Sequence, residues 1–145
     1  MSNPLQFGLH HGAISVPSLE DSLAWYGRVL GFEVESQFDI PAIPARVAML
    51  RNGDLRIEVF EVPGAAPLPE SRRTPDVDNR THGNKHVAFV TPDVTALHEE
   101  LVRRGADIVW LRHMPHGSAM FIRDNAGNLI EFVQAPLPAG TPAAL

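Results

Sequence analysis

Cysteine is absent from this chain of 145 residues. Disulfides, thiolate-bound metals and cysteine nucleophiles are excluded with it. There is no run of basic residues, and the net charge is -5. An acidic chain of this kind carries no electrostatic footprint for nucleic acid, so no nucleic-acid partner is expected. No apolar stretch approaches the roughly 20 residues that span a bilayer, so no membrane partner is expected either. The opening segment, MSNPLQFGLHHG, lacks both a basic start and an apolar stretch, so no signal peptide is expected. Cytoplasm is the expected location. The hydrophobic fraction is 44% and the charged fraction 20%, an ordinary globular balance. The length fits one compact domain over 1–145.

The chain repeats itself. His11 to Leu19 matches His86 to Val94: each stretch opens with His, has Ala two residues on and Pro six residues on. Each then enters a helical pattern. In the first, Ser18 to Leu30, Ser18 is the N-cap, Asp21 stands at the capping-box position, and Leu19, Leu23, Tyr26 and Leu30 share a face. In the second, Asp93 to Arg104, Val94, Leu97 and Leu101 are spaced for burial. Gly31 and Gly105 stand where helices stop. Strand-like segments follow in both halves: Phe32–Phe38, Arg46–Arg51 and Leu55–Val62, then Asp107–Leu111, Ala119–Arg123 and Leu129–Gln134. Turn residues separate the last two strands of each half. The chain therefore reads as α+β, with two tandem βαβββ modules. Module one spans about 8–62 and module two about 86–135. A long loop rich in Pro, Gly, Ser and charge joins them over 63–85. The tail, 136–145, reads as extended and poorly ordered.

Strand alternation then sorts the side chains. Ile14 and Val16 suit a helix-covered face, which leaves His11 on the opposite face. Ile57 and Val59 do the same in the last strand of module one, so Arg56, Glu58 and Phe60 join the side of His11. In module two, Val87, Phe89, Ile130 and Phe132 point to the helix, and His86 and Glu131 point away. Each half thus places one His and one Glu on its helix-free face, 47 residues apart in the first and 45 in the second. Two imidazoles and two carboxylates suit one divalent first-row ion, with positions left for water or substrate oxygens. His11, Glu58, His86 and Glu131 are the expected metal ligands. The recurrence carries the case, because any one such His or Glu is more often an ordinary rim residue.

These residues also carry a resemblance. His11, Ile14 and Val16, then Ser18-Leu19-Glu20, then Trp25-Tyr26 with Val29-Leu30-Gly31-Phe32, resemble the opening of the vicinal oxygen chelate superfamily. Gly83 to Phe89 and Asp124 to Glu131 resemble its second-half motifs, and the similarity covers roughly residues 8–135. The superfamily includes glyoxalase I, methylmalonyl-CoA epimerase, extradiol dioxygenases, fosfomycin-resistance enzymes and bleomycin-binding proteins. The resemblance implies an open β-sheet cup with helices on its outer face and one divalent metal ion (Ni, Co, Zn, Mn or Fe) at its base. The His/Glu/His/Glu set is closest to nickel-type glyoxalase I and the epimerase. No group of basic residues for anchoring glutathione stands out.

The implied chemistry is that of a lyase, isomerase or epimerase. It chelates neighbouring oxygens of a small carbonyl substrate and transfers a proton through an enolate. Glu131 is the expected base and Glu58 its partner. An Fe(II) ring-cleaving dioxygenase using His11, His86 and Glu131 is the alternative enzyme, and a non-catalytic drug-binding or resistance protein the alternative to an enzyme. A homodimer is expected, with pairing of the modules within or between chains left open. Further candidates for contact with substrate are His113, His116, His82, Phe60 and Arg56. Phe60, Trp110, Met120 and Phe121 are candidates for apolar walls, with core packing as the default for each. His10 is expected to face away from His11 if the strand starts there, and His98 to lie on the surface of the second helix.

Overall fold

The computed structural model describes residues 5–142. Two four-stranded sheets form, one per module, and the elements recur in the same order. Module one runs β1 (Gly12–Ser15), α1 (Leu19–Leu30), β2 (Glu33–Ile40), β3 (Ala45–Asn52) and β4 (Leu55–Glu61). Module two runs β5 (Val87–Thr91), α3 (Val94–Arg103), β6 (Asp107–Met114), β7 (Gly117–Arg123) and β8 (Leu129–Gln134). The strand orders are β1-β4-β3-β2 and β5-β8-β7-β6. In each sheet the first strand lies parallel to the last, and the remaining pairs are antiparallel. Strands β1 and β5 are therefore sheet edges. The two edges approach at Gly12, where an added Cβ would lie 3.9 Å from the Val87 side chain.

Capping repeats between the halves. Ser18 Oγ accepts from the Asp21 N–H at 3.3 Å, and Asp93 Oδ1 accepts from the Ala96 N–H at 2.9 Å. The first N–H of each helix goes to the end of its own sheet. Leu19 N–H donates to Glu61 Oε2 at 2.6 Å, and Val94 N–H donates to Gln134 Oε1 at 3.0 Å. A helix start leaves such donors without intrahelical partners, so these side chains fasten helix to sheet. Gly31 ends α1 at φ 71°, a left-handed conformation that glycine takes without a Cβ clash.

Sequence spacing exposes only part of the α1 core. Leu19 and Tyr26 are buried as expected, yet Ser22, Trp25 and Val29 are buried too. The reason is that α1 packs on its own sheet and also meets module two. Tyr26 Oη donates to Asp124 Oδ2 at 2.9 Å, Ser22 Oγ donates to Asn125 Oδ1 at 3.2 Å, and Phe32 meets Phe89 at 6.1 Å between ring centroids. Both modules thus share one core, which joins Val59, Leu50 and Ile57 to Ile122, Ile130 and Leu101. Met120, a candidate wall residue, is fully buried in it.

Two segments differ from their sequence reading. The joining stretch holds a short 3-10 turn (Glu70–Arg72) and a one-turn helix, α2 (Pro75–Asp78). Pro75 starts that turn with its φ already set, and the buried Asp78 carboxylate accepts from Lys85 Nζ at 3.2 Å and Arg72 Nε at 3.3 Å. The described part of the tail has a turn of its own, with Thr141 N–H donating to Pro138 O at 3.1 Å. It folds back so that Pro142 lies 3.7 Å from where a Cβ on Gly53 would stand. Residues 143–145 lie outside the described residues. Among the described residues, no helix is long and apolar enough to cross a membrane.

Candidate metal centre

The register places the expected ligands. Ala13 pairs with Glu58, and Met49 lies opposite Glu58 on its other side. In module two, Ala88 pairs with Glu131, and Phe121 lies opposite. Because Ile57, Val59, Ile130 and Phe132 face the core, Glu58 and Glu131 face the cup. His11 and His86 each stand one residue before an edge strand. His11 Nε2 lies 3.6 Å from Glu58 Oε1, and His86 Nε2 lies 2.8 Å from Glu131 Oε2. All four side chains are partly exposed, at 33% and 18% for the first pair and 22% and 21% for the second.

One chain does not gather all four. Among the described residues there is no group of three or more His, Cys, Asp or Glu able to hold a metal ion. The shared core explains this. With the modules joined through Tyr26, Phe32, Phe89 and Asp124 on the helix side, the two His/Glu pairs keep partial exposure on the cup side, while Val47, Met49, Ala119 and Phe121 on the same faces are buried. His11, Ala13 and Ser15 are exposed in module one, as are His86, Ala88 and Val90 in module two. The chain thus presents two separate His/Glu pairs.

Each pair offers two donors of a kind that divalent ions take. Neighbouring donors on one ion, each about 2.1 Å from it, stand about 3.0–3.5 Å apart. The two N···O separations, 3.6 and 2.8 Å, lie close to that range. Imidazole with carboxylate is also the donor chemistry of first-row divalent metals.

Around the second pair runs an aromatic column. The His86 ring meets Phe121 edge-on at 4.7 Å, Phe121 meets Trp110 at 4.8 Å, and the Arg112 guanidinium lies 4.1 Å over the Trp110 ring. Arg112 in turn pairs with Asp76 of α2 at 3.1 Å. Phe121 is 5% exposed and supports His86 from below. In the sequence Phe121 and Trp110 stand only as possible walls, and nothing there marks Arg112. The first pair has a different support, Met49, and a second imidazole beside it. His10 Nδ1 lies 2.7 Å from His11 Nδ1.

The remaining candidates separate. Phe60 and Arg56 lie on the cup face of module one with Glu58. Arg56 is held by Glu35 through hydrogen bonds of 3.0 Å, and its guanidinium keeps the Glu35 carboxyl below the ordinary range. His113 is not a cup residue. Strand β6 continues to Met114, and His113 pairs with Ser118 on the helix side, where its Nδ1 meets Ser118 Oγ at 2.8 Å. The bulge between Ile108 and Trp110 sets that parity. His116 is exposed in the turn after β6. His82 lines a crevice of about 1230 Å³ between the modules, which includes Arg72, Arg73 and Lys85 but neither Glu58 nor Glu131. His10 does not face away from His11: the two precede β1, so strand alternation does not apply to them.

The family profile for the Glyoxalase/Bleomycin resistance protein/Dioxygenase superfamily matches residues 8–132, and the chain belongs to that superfamily. Among solved structures, a glyoxalase family protein from Enterococcus faecalis is 22% identical. It has a TM-score of 0.74 and covers 88% of this chain and 97% of its own. The trypanothione-dependent glyoxalase I of Leishmania major is 20% identical at a TM-score of 0.67, covering 89% and 87%. The fosfomycin resistance protein FosX of Listeria monocytogenes is 16% identical at 0.65, covering 92% and 97%. At these identities the likeness is one of fold. No curated protein matches the chain.

Proposed function

We propose that this protein is a divalent-metal-dependent lyase, isomerase or epimerase of the glyoxalase type. Its centre is composite: His11 and Glu58 of one chain join His86 and Glu131 of the partner subunit. The observation that carries this reading is the matched pair of N···O contacts, 3.6 and 2.8 Å, on cup faces that one chain leaves open. A homodimer that closes two cups completes two such centres by symmetry. Apolar surface left in the open supports it: Phe7 is 90% exposed, Leu9 93% and Phe38 44%.

When bound, the ion supplies charge that polarises a substrate carbonyl and acidifies the neighbouring C–H. Glu131 takes that proton, and Glu58, protonated and across the cup, gives its own proton to the other face or to the neighbouring carbon; both carboxyls then exchange protons with solvent before the next turnover. Phe121 keeps the His86 ring in place, and Phe60 keeps water from one flank of Glu58. Small carbonyl compounds with a vicinal oxygen are the substrate class.

Subunit complementation with a metal readout tests this reading. His11→Ala and His86→Ala each destroy both centres of a homodimer. Mixed after unfolding and refolding, the two variants form heterodimers in which one centre is intact and the other doubly damaged. Random pairing then restores about 0.25 ion per chain, against about one in the natural protein. No recovery on mixing, with each chain still folded, overturns the composite centre. A natural protein that takes up no Ni, Co, Zn, Mn or Fe overturns the metal reading altogether.

A further inference from the structure

The histidine beside half-site one has no part in the proposal above, and its geometry assigns it one. His11 presents two ring nitrogens to two neighbours. Nε2 looks toward Glu58 Oε1 at 3.6 Å, and Nδ1 looks toward His10 Nδ1 at 2.7 Å. A separation of 3.6 Å is too long for a hydrogen bond, whereas 2.7 Å is a short one. A proton on Nε2 would have the Glu58 carboxylate beyond hydrogen-bond reach. A proton on Nδ1 has one, the lone pair of His10 Nδ1. The rings stand edge-on, at 5.0 Å and 82°.

We infer that His10 is a positioning residue: it accepts the Nδ1 proton of His11 and so holds the His11 Nε2 lone pair bare and aimed at the side of Glu58. His10 carries its own proton on Nε2. This inference rests on the metal reading for its purpose but not for its geometry. A ligating histidine usually donates its second N–H to a partner that fixes its tautomer and ring plane, and loss of that partner typically weakens metal binding 10–100-fold. The partner here is the preceding residue. It can reach because both residues lie in the extended segment before β1, outside the alternation of the sheet.

The two half-sites then differ. His86 Nε2, at 2.8 Å from Glu131, is within hydrogen-bond reach of the carboxylate, so that nitrogen carries its proton in the metal-free protein. The metal-free chain thus holds one imidazole with a bare Nε2, His11, and one with a protonated Nε2, His86.

Long-range ¹⁵N–¹H correlation of the histidine rings reads this directly in the metal-free natural protein, at about pH 8, where a free imidazole is neutral. The expected result is the Nδ1–H tautomer for His11 and the Nε2–H tautomer for His86. In His10→Ala, His11 should become a mixture of tautomers. Its Co(II) affinity, measured by chelator competition, should fall about 10–100-fold. His10→Asn, whose amide oxygen can accept the same proton, should restore the Nδ1–H tautomer and most of the affinity. Residue 10 is exposed, and unchanged thermal melting confirms that the fold persists. An Nε2–H tautomer for His11 in the natural protein overturns the inference. So does a His10→Ala variant with unchanged tautomer and unchanged Co(II) affinity, which leaves the metal reading intact. The expected tautomers in a protein that binds no metal would uphold the His10–His11 bond and remove the metal reading instead.

Discussion

His86 Nε2 and Glu131 Oε2 stand 2.8 Å apart, while the equivalent atoms of His11 and Glu58 stand 3.6 Å apart. The closer pair rests on Phe121 and the looser one on Met49, each directly opposite its Glu in the sheet. A rigid ring edge under His86 restricts its plane, and a flexible thioether beside Glu58 does not.

Substitution in module two should separate binding from chemistry. His86→Ala should lose bound metal and turnover together. Glu131→Gln keeps an oxygen donor, so it should retain much of the metal while turnover falls about 10²–10⁴-fold, the usual loss with a general base. Metal content by elemental analysis, beside rates on 2-oxo or 2-hydroxy acyl substrates, gives both numbers. Full turnover in Glu131→Gln would remove it as the base.

Glu58→Gln distinguishes proton transfer from oxygen chemistry. A ring-cleaving dioxygenase built on His11, His86 and Glu131 does not need the Glu58 carboxylate. Under the proton-transfer reading, net turnover should slow by at least about tenfold in this variant, while Glu131 still exchanges the substrate C–H for solvent deuterium. Oxygen uptake with catechols under Fe(II) should be negligible in both proteins. Substantial uptake that survives Glu58→Gln would sink the proton-transfer reading.

Tyr26 ties the modules together and should report on alkaline stability. Burial first, and the neighbouring Asp124 second, push its phenol well above the ordinary tyrosine value of 10.0. The folded state therefore keeps the proton where the unfolded chain has lost it. Stability from this source is whole below about pH 10 and declines as pH rises further. It is the chain's one tyrosine, so absorbance of the phenolate follows it alone. Tyr26→Phe should cost about 1 kcal/mol at neutral pH and flatten the alkaline decline.

Gln134→Ala tests the strap between helix and sheet. Val94 is 0% exposed, and its N–H donates to the Gln134 side chain. Removing that acceptor leaves a buried donor unsatisfied, at a cost of about 1–3 kcal/mol. Thermal melting should fall by several degrees, with Gln134→Glu close to the natural protein because Glu61 does the same work in module one. An unchanged melting temperature in Gln134→Ala would show that water replaces the amide.

A core substitution gives the scale for these effects. Ile57 is 1% exposed in the sheet interior. Ile57→Ala should cost about 2–5 kcal/mol, since the shared core has little room to collapse around the lost atoms. Urea denaturation should show a lower midpoint with an unchanged slope.

Local sequence determined a great deal here, because the signals are local. Alternation placed Ile57, Val59, Ile130 and Phe132 inward and Glu58 and Glu131 outward. Ser18, Asp93, Gly31 and Gly105 marked the helix ends through side-chain acceptors and left-handed backbone. The repeat from His11 to Leu19 and from His86 to Val94 announced two like modules. What the tertiary structure alone decided was how those modules meet. Burial of Ser22 and Val29 comes with contacts from α1 to Asn125 and Arg104 of module two, which no periodicity within α1 encodes. The bulge at β6 turned His113 to the helix side, one extra residue reversing the parity of everything after it. The start of β1 at Gly12 freed His10 to meet His11. The shared core also divided the four expected ligands into two open pairs, because packing faces are chosen between segments far apart in the chain.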